Sequence, residues 1–140
     1  MRPILIAAGV LALAPAAQAA DTATAGPPAV PPLLSEALQD VPGKHLVVVR
    51  LRLLPAGSPA HPHRHPGSVF VYVTQGAARL GIEGKPVVTV PAGGVFFEPP
   101  GALHTVAESA SPTEPALAIA VMIVPDGAPL VLPGDAHPMH

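Results

Sequence analysis

Gly57-Ser58-Pro59-Ala60-His61-Pro62-His63-Arg64-His65-Pro66-Gly67 is the stretch on which the reading of this chain turns. His63 and His65 are one residue apart, and on an extended strand residues i and i+2 project from the same face. Two imidazoles therefore stand side by side. A third, His104, closes the segment Pro99-Pro100-Gly101-Ala102-Leu103-His104, about forty residues later, where a distant strand can bring it against the pair. Three neutral imidazoles suit one divalent first-row ion and leave coordination positions open. Fe, Mn, Ni, Cu, Co and Zn all accept such a set, so residue type alone does not choose among them.

Around this stretch the chain reads as all-β. From Lys44 onward it breaks into short runs punctuated by proline and glycine, with no sustained 3.6-residue period, which is the pattern of a sandwich or barrel. In residues 46–54, Val47, Val49, Leu51 and Leu53 share one face and Val48, Arg50 and Arg52 the other, so the first set is expected inside. Val69, Val71 and Val73 oppose Phe70 and Tyr72 in the same way, and Ala78, Leu80 and Ile82 oppose Arg79, Gly81 and Glu83. Further strands are expected over residues 87–90, 95–98, 103–107 and 117–124. The last run is apolar on both faces, which predicts one face in the core and the other covered.

The glycine-framed histidines resemble the two conserved stretches of the cupin superfamily, a double-stranded β-helix or jelly-roll barrel. Gly57, His63, His65 and Gly76 reproduce the spacing of the first stretch, with Val69 standing where the family usually has glutamate. Gly93, Pro99, Gly101 and His104 reproduce the second, with Glu108 where the family commonly has asparagine. The resemblance covers roughly residues 43 to 133. It implies a jelly-roll fold, a divalent metal held by His63, His65 and His104, and frequent pairing of subunits into a homodimer.

With valine at position 69 the usual carboxylate ligand is missing from its place, and three arrangements remain open. The site is a plain three-histidine one. Alternatively Glu98, in Phe96-Phe97-Glu98-Pro99, supplies a carboxylate from a neighbouring strand, as a ligand or as a hydrogen-bond partner of a ligating histidine. Or His61 joins, sharing strand parity with His63 and His65, although Pro62 constrains the backbone between them. His45, His137 and His140 lack any framing and read as solvent-exposed. The pocket is expected to be small and aliphatic, lined by Val69, Val71, Leu80 and Phe96, with Tyr72 the only phenol in the chain and no tryptophan to stack on a sugar.

Residues 1–19 read as a signal peptide: Arg2, an apolar run over 4–14 too short to span a bilayer, and the small-x-small site Ala17-Gln18-Ala19. Residues 20–42 form a proline-rich arm, in which 33–38 can make one or two helical turns capped by Ser35 and ended by Pro42. Residues 43–133 are the single barrel domain and 134–140 a tail. Loss of Arg2 leaves six basic against nine acidic side chains, a formal charge of −3 without any run of lysine or arginine. That excludes the basic footprint of a nucleic-acid binder or a membrane-surface binder after cleavage. The absence of cysteine removes disulfides, thiolate ligands and a cysteine nucleophile.

These readings converge on a small periplasmic or secreted metal-binding protein with a small-molecule ligand or substrate and a homodimeric assembly. If it is an enzyme, the resemblance implies a metal-dependent, dioxygenase-like or Lewis-acid reaction on a chelating substrate. No catalytic residue is assigned, and no elbow motif for a serine nucleophile is present. A non-catalytic binding or sensing barrel, with or without metal, is the alternative.

Overall fold

The computed structural model describes residues 30–59 and 61–135. The expected export segment, the first part of the arm, and His137 and His140 lie outside the described residues. Ten strands follow in order: β1 (Pro32–Ala37), β2 (Lys44–Leu53), β3 (His63–Arg64), β4 (Ser68–Gln75), β5 (Ala77–Ile82), β6 (Val88–Pro91), β7 (Val95–Glu98), β8 (His104–Ser109), β9 (Ala116–Pro125) and β10 (Leu132–Pro133). There is no helix among the described residues. The strands form two five-stranded sheets, ordered β1-β2-β9-β4-β7 and β10-β3-β8-β5-β6. Every pairing is antiparallel, and the chain crosses repeatedly between the sheets, as in a jelly roll.

Alternation decides what each strand buries. Val47, Val49 and Leu53 of β2, Val69, Val71 and Val73 of β4, and Ala78 and Leu80 of β5 are all buried. Those are the faces expected from parity. From β9, Ala116, Ala118, Ala120, Met122 and Val124 point inward. Ala116 and Ala118 join the packed core, and the small Ala120 side chain forms part of the wall of the cavity that remains.

Residues 33–38 correct one expectation: they are not helical. Residues 32–37 pair with β2 instead, through Leu34↔Val48, Ser35↔Val47 and Glu36↔Leu46, and Leu38 N–H donates to Lys44 O at 2.9 Å to close the hairpin. A helix of one or two turns is marginal in water, whereas the free edge of β2 offers a row of unmet backbone partners. The long-range ladder therefore outweighs a local cap.

The outer face of the first sheet is apolar. Phe70 faces Phe97 on one side and Val121 on the other, and Tyr72 faces Val95 and Ile119. Phe70, Tyr72, Val95, Phe97 and Ile123 are each more than 40% exposed, so neighbouring side chains leave this face largely open to solvent.

Candidate metal centre

The three histidines expected to act together are brought together. His63 on β3 is the direct cross-strand partner of His104 on β8, and the His63 ring centroid lies 4.9 Å from that of His65 and 5.2 Å from that of His104. One ligand atom from each lies within 4.8 Å of the others. Sequence explains the local geometry. Pro99-Pro100-Gly101-Ala102 is a tight turn closed by Ala102 N–H donating to Pro99 O at 3.2 Å, with Gly101 at φ +73°. Proline at the second position and a left-handed glycine at the third are what a type II turn requires. Gly101 N–H then donates to His65 O at 2.8 Å, and the Arg64 guanidinium donates to Gly101 O at 2.7 Å. Arg64, pointing away from the pair it separates, thus ties the first histidine stretch to the turn that delivers His104.

Hydrogen bonding sets the tautomers. His63 Nδ1 lies 2.8 Å from His61 O and His65 Nδ1 lies 2.6 Å from Leu130 O. A carbonyl oxygen only accepts, so each Nδ1 carries the hydrogen and each Nε2 presents a lone pair. Metal-ligating histidines are oriented in this way. Burial lowers the pKa of His65 to about 4, with the Leu130 hydrogen bond opposing and the charge of His63 assisting. Burial, then His63 and His65, lower that of His104 to about 3. Both rings are therefore neutral near pH 7. Neither nitrogen of His104 has a hydrogen-bond partner although both are buried, and the nearby Val106 backbone offers no aligned bond. A buried polar atom without a partner is costly. A divalent ion bound by the Nε2 atoms of His63 and His65 and by one His104 nitrogen would satisfy one of those two orphaned atoms, so the residues fit the group.

Glu98 ends β7 and is 4% exposed, with Oε2 3.3 Å from His104 Nδ1 and 3.6 Å from His65 Nε2. These contacts are not ion pairs, because burial keeps both rings uncharged; burial likewise raises the Glu98 carboxyl to about 7. Its direct partner across the β4–β7 ladder is Val69. His61, by contrast, is exposed and lines the mouth of the cavity, and its carbonyl rather than its ring serves His63.

The histidines open onto a cavity of about 580 Å³ whose inner wall includes Val49, Leu51, Val69, Val71, Leu80, Ala120, Met122 and Leu130. Val69, Val71 and Leu80 take the places expected of them, whereas Phe96, also expected in the lining, packs against the core instead. Phe96 stacks on His104 at a centroid distance of 6.3 Å, and Tyr72 lies on the outer face of its sheet. At the rim, Glu108 accepts from Gly57 N–H at 3.0 Å and from Arg79 at 2.6 Å. That clamp was not anticipated, and its signal is the register Arg79↔Glu108 on adjacent strands. His45 likewise has a partner, its Nδ1 donating to the Asp126 carboxylate beside a smaller cavity of about 270 Å³.

Comparison with known proteins agrees with this architecture. A model of the cupin domain matches residues 49–122, more than half of the chain. A Klebsiella pneumoniae protein with a double-stranded β-helix domain is similar at 26% identity, over 77% of this chain and 85% of that one, with a TM-score of 0.54. A cupin-like protein from Thermotoga maritima is 27% identical over 57% of this chain and 56% of its own, with a TM-score of 0.45. The hydroxypropylphosphonic acid epoxidase of S. wedmorenis shares the fold at 21% identity, 63% and 55% coverage, and a TM-score of 0.50. The chain thus spans just over half the length of the last two. No curated protein matches it in sequence. With the jelly roll, the paired histidine stretches and the match to the domain model in agreement, the chain belongs to the cupin domain family.

Proposed function

We propose that this cupin binds one divalent first-row metal ion through His63, His65 and His104 and uses it on a small ligand that chelates through oxygen. The observation that carries this is the pair of partnerless, buried nitrogens on His104, facing two histidines whose Nδ1 hydrogens are already committed. A metal held there supplies Lewis-acid polarisation of a chelating oxygen. The chain's own part is to orient the rings through the His61 and Leu130 carbonyls, and to surround the ligand with aliphatic walls that exclude water. Those walls favour a compact dicarbonyl, phenolic or organic acid over a sugar, which would look for aromatic platforms and polar partners.

An oxygenase-type reaction is the enzymatic form of this proposal. Its test is oxygen uptake by metal-loaded protein given β-diketone or catechol-type substrates, where turnover abolished by His104→Ala is the expected result. Binding of the same compounds without turnover would favour a carrier or sensor, a reading supported by the mainly aliphatic inner wall of Val49, Leu51, Val69, Val71, Leu80 and Met122. Residues 1–19 support export to the periplasm. The open face of Phe70, Tyr72, Val95, Phe97 and Ile123 supports a homodimer in which a second copy covers the first sheet.

A further inference from the structure

The geometry points to Glu98 as a fourth ligand of the metal centre, supplied from the strand next to the one that carries Val69. This inference rests on the reading of the three histidines as ligands. Val69 and Glu98 are direct antiparallel partners, so their side chains leave the sheet on the same face at the same level. Partner Cβ atoms stand about 4.5–5.5 Å apart, a span that a glutamate side chain reaches across. A carboxylate absent from one strand is thereby delivered by its neighbour to the same place in the barrel.

The distances to two of the three histidines agree with a shared ion, whereas the set of donors within 4.8 Å of one another holds the histidines alone, so Glu98 reaches the ion from the His65–His104 side. Two donors each about 2.1 Å from one ion stand about 3.0 Å apart at a right angle and about 3.4 Å apart at the tetrahedral angle. Glu98 Oε2 lies 3.3 Å from His104 Nδ1 and 3.6 Å from His65 Nε2. The His65 nitrogen it approaches is the one left free for metal, since Nδ1 is bonded to Leu130 O. A simple hydrogen bond between Glu98 and His104 does not account for the contact, because His104 Nδ1 has no aligned partner. Among the described residues no lysine or arginine pairs with Glu98, so its buried carboxylate has no other counter-charge. A carboxylate also changes the chemistry of the site: it lowers the net charge that a dication presents to the ligand and adds a hard oxygen to an all-imidazole set.

The test strips the mature protein with chelator and titrates it with cobalt(II), reading affinity together with the visible absorption of the bound ion. Glu98→Val and Glu98→Gln are expected to bind at least about 100-fold more weakly, beyond the 10- to 100-fold typical of a partner that only orients a ligand, and with altered absorption. The exchange Val69→Glu with Glu98→Val is expected to recover most of the affinity. If Glu98→Gln binds cobalt with wild-type affinity and spectrum while His104→Ala does not bind, the inference falls and the three-histidine reading stands. If the wild type takes up no cobalt, both fall. Should Glu98→Val fail to fold, Glu98→Gln decides the question.

Discussion

Acidification of the metal-free protein separates the buried ionisable groups of the site by sign. In the unfolded chain each histidine titrates at its ordinary 6.5, whereas in the fold His65 is lowered to about 4 and His104 to about 3. Their contribution to stability is complete above pH 6.5 and is lost as pH falls toward those values. Glu98 works in the opposite direction. Its carboxyl is raised from 4.5 to about 7, so its contribution is complete below pH 4.5 and is lost as pH rises through 7. Between pH 4.5 and 6.5 the unfolded chain holds two histidine protons that the fold lacks, and the fold holds one carboxyl proton that the unfolded chain lacks. The net difference is one proton. Stability therefore rises with pH at about 1.4 kcal/mol per unit near the middle of that window, about pH 5.5, and flattens toward pH 6.5. Glu98→Gln removes the opposing group and steepens the slope to about 2.7 kcal/mol per unit, while His104→Asn brings it near zero. Urea unfolding of chelator-treated protein at half-unit pH steps measures all three slopes. A wild-type slope that is flat or negative, or a slope unchanged by Glu98→Gln, would refute the reasoning.

Gly67→Ala tests the packing that seats the histidine arm: a Cβ there would lie 1.9 Å from Ile123 O, a backbone atom that cannot swing aside. Separation of β4 from β9 at this point is expected to cost about 3 kcal/mol or more in urea unfolding, and a change below about 1 kcal/mol would contradict the packing. Glu108→Ala leaves Gly57 N–H and Arg79 to water, and with both partly exposed the expected cost is about 1 kcal/mol, with faster amide exchange at Gly57 as the local signature. Lysine at Phe70 and Phe97, cross-strand partners on the open face, is expected to halve the mass of the particle in light scattering. A wild type that already scatters as a single chain would remove the proposed interface.

The parts of this structure that were legible in the sequence are those set by period and by local turn chemistry. Alternation identified the buried faces of β2, β4 and β5, and glycine framing placed His63, His65 and His104 together. Proline and glycine marked the turn before His104 because that turn is closed within four residues. What was not legible depends on pairing between distant segments. Residues 33–38 carry a signal for one or two helical turns because the Ser35 cap is local, whereas the true partner of β1, β2, is reached only by folding back. The relation between Val69 and Glu98, and the Arg79–Glu108–Gly57 clamp, are facts of register, which spacing along one strand does not contain. Glu98 could be suspected from its apolar neighbours, but its level in the barrel could not.

The most direct test of the central claim is the metal content of the tag-free protein after loading and gel filtration, measured by elemental analysis for the wild type, His104→Ala and His45→Ala. The account predicts close to one divalent ion per chain in the wild type and in His45→Ala, whose ring belongs to the distant pair with Asp126, and little in His104→Ala. A wild type that refuses every first-row ion, or a His104→Ala variant that retains its metal, would contradict it.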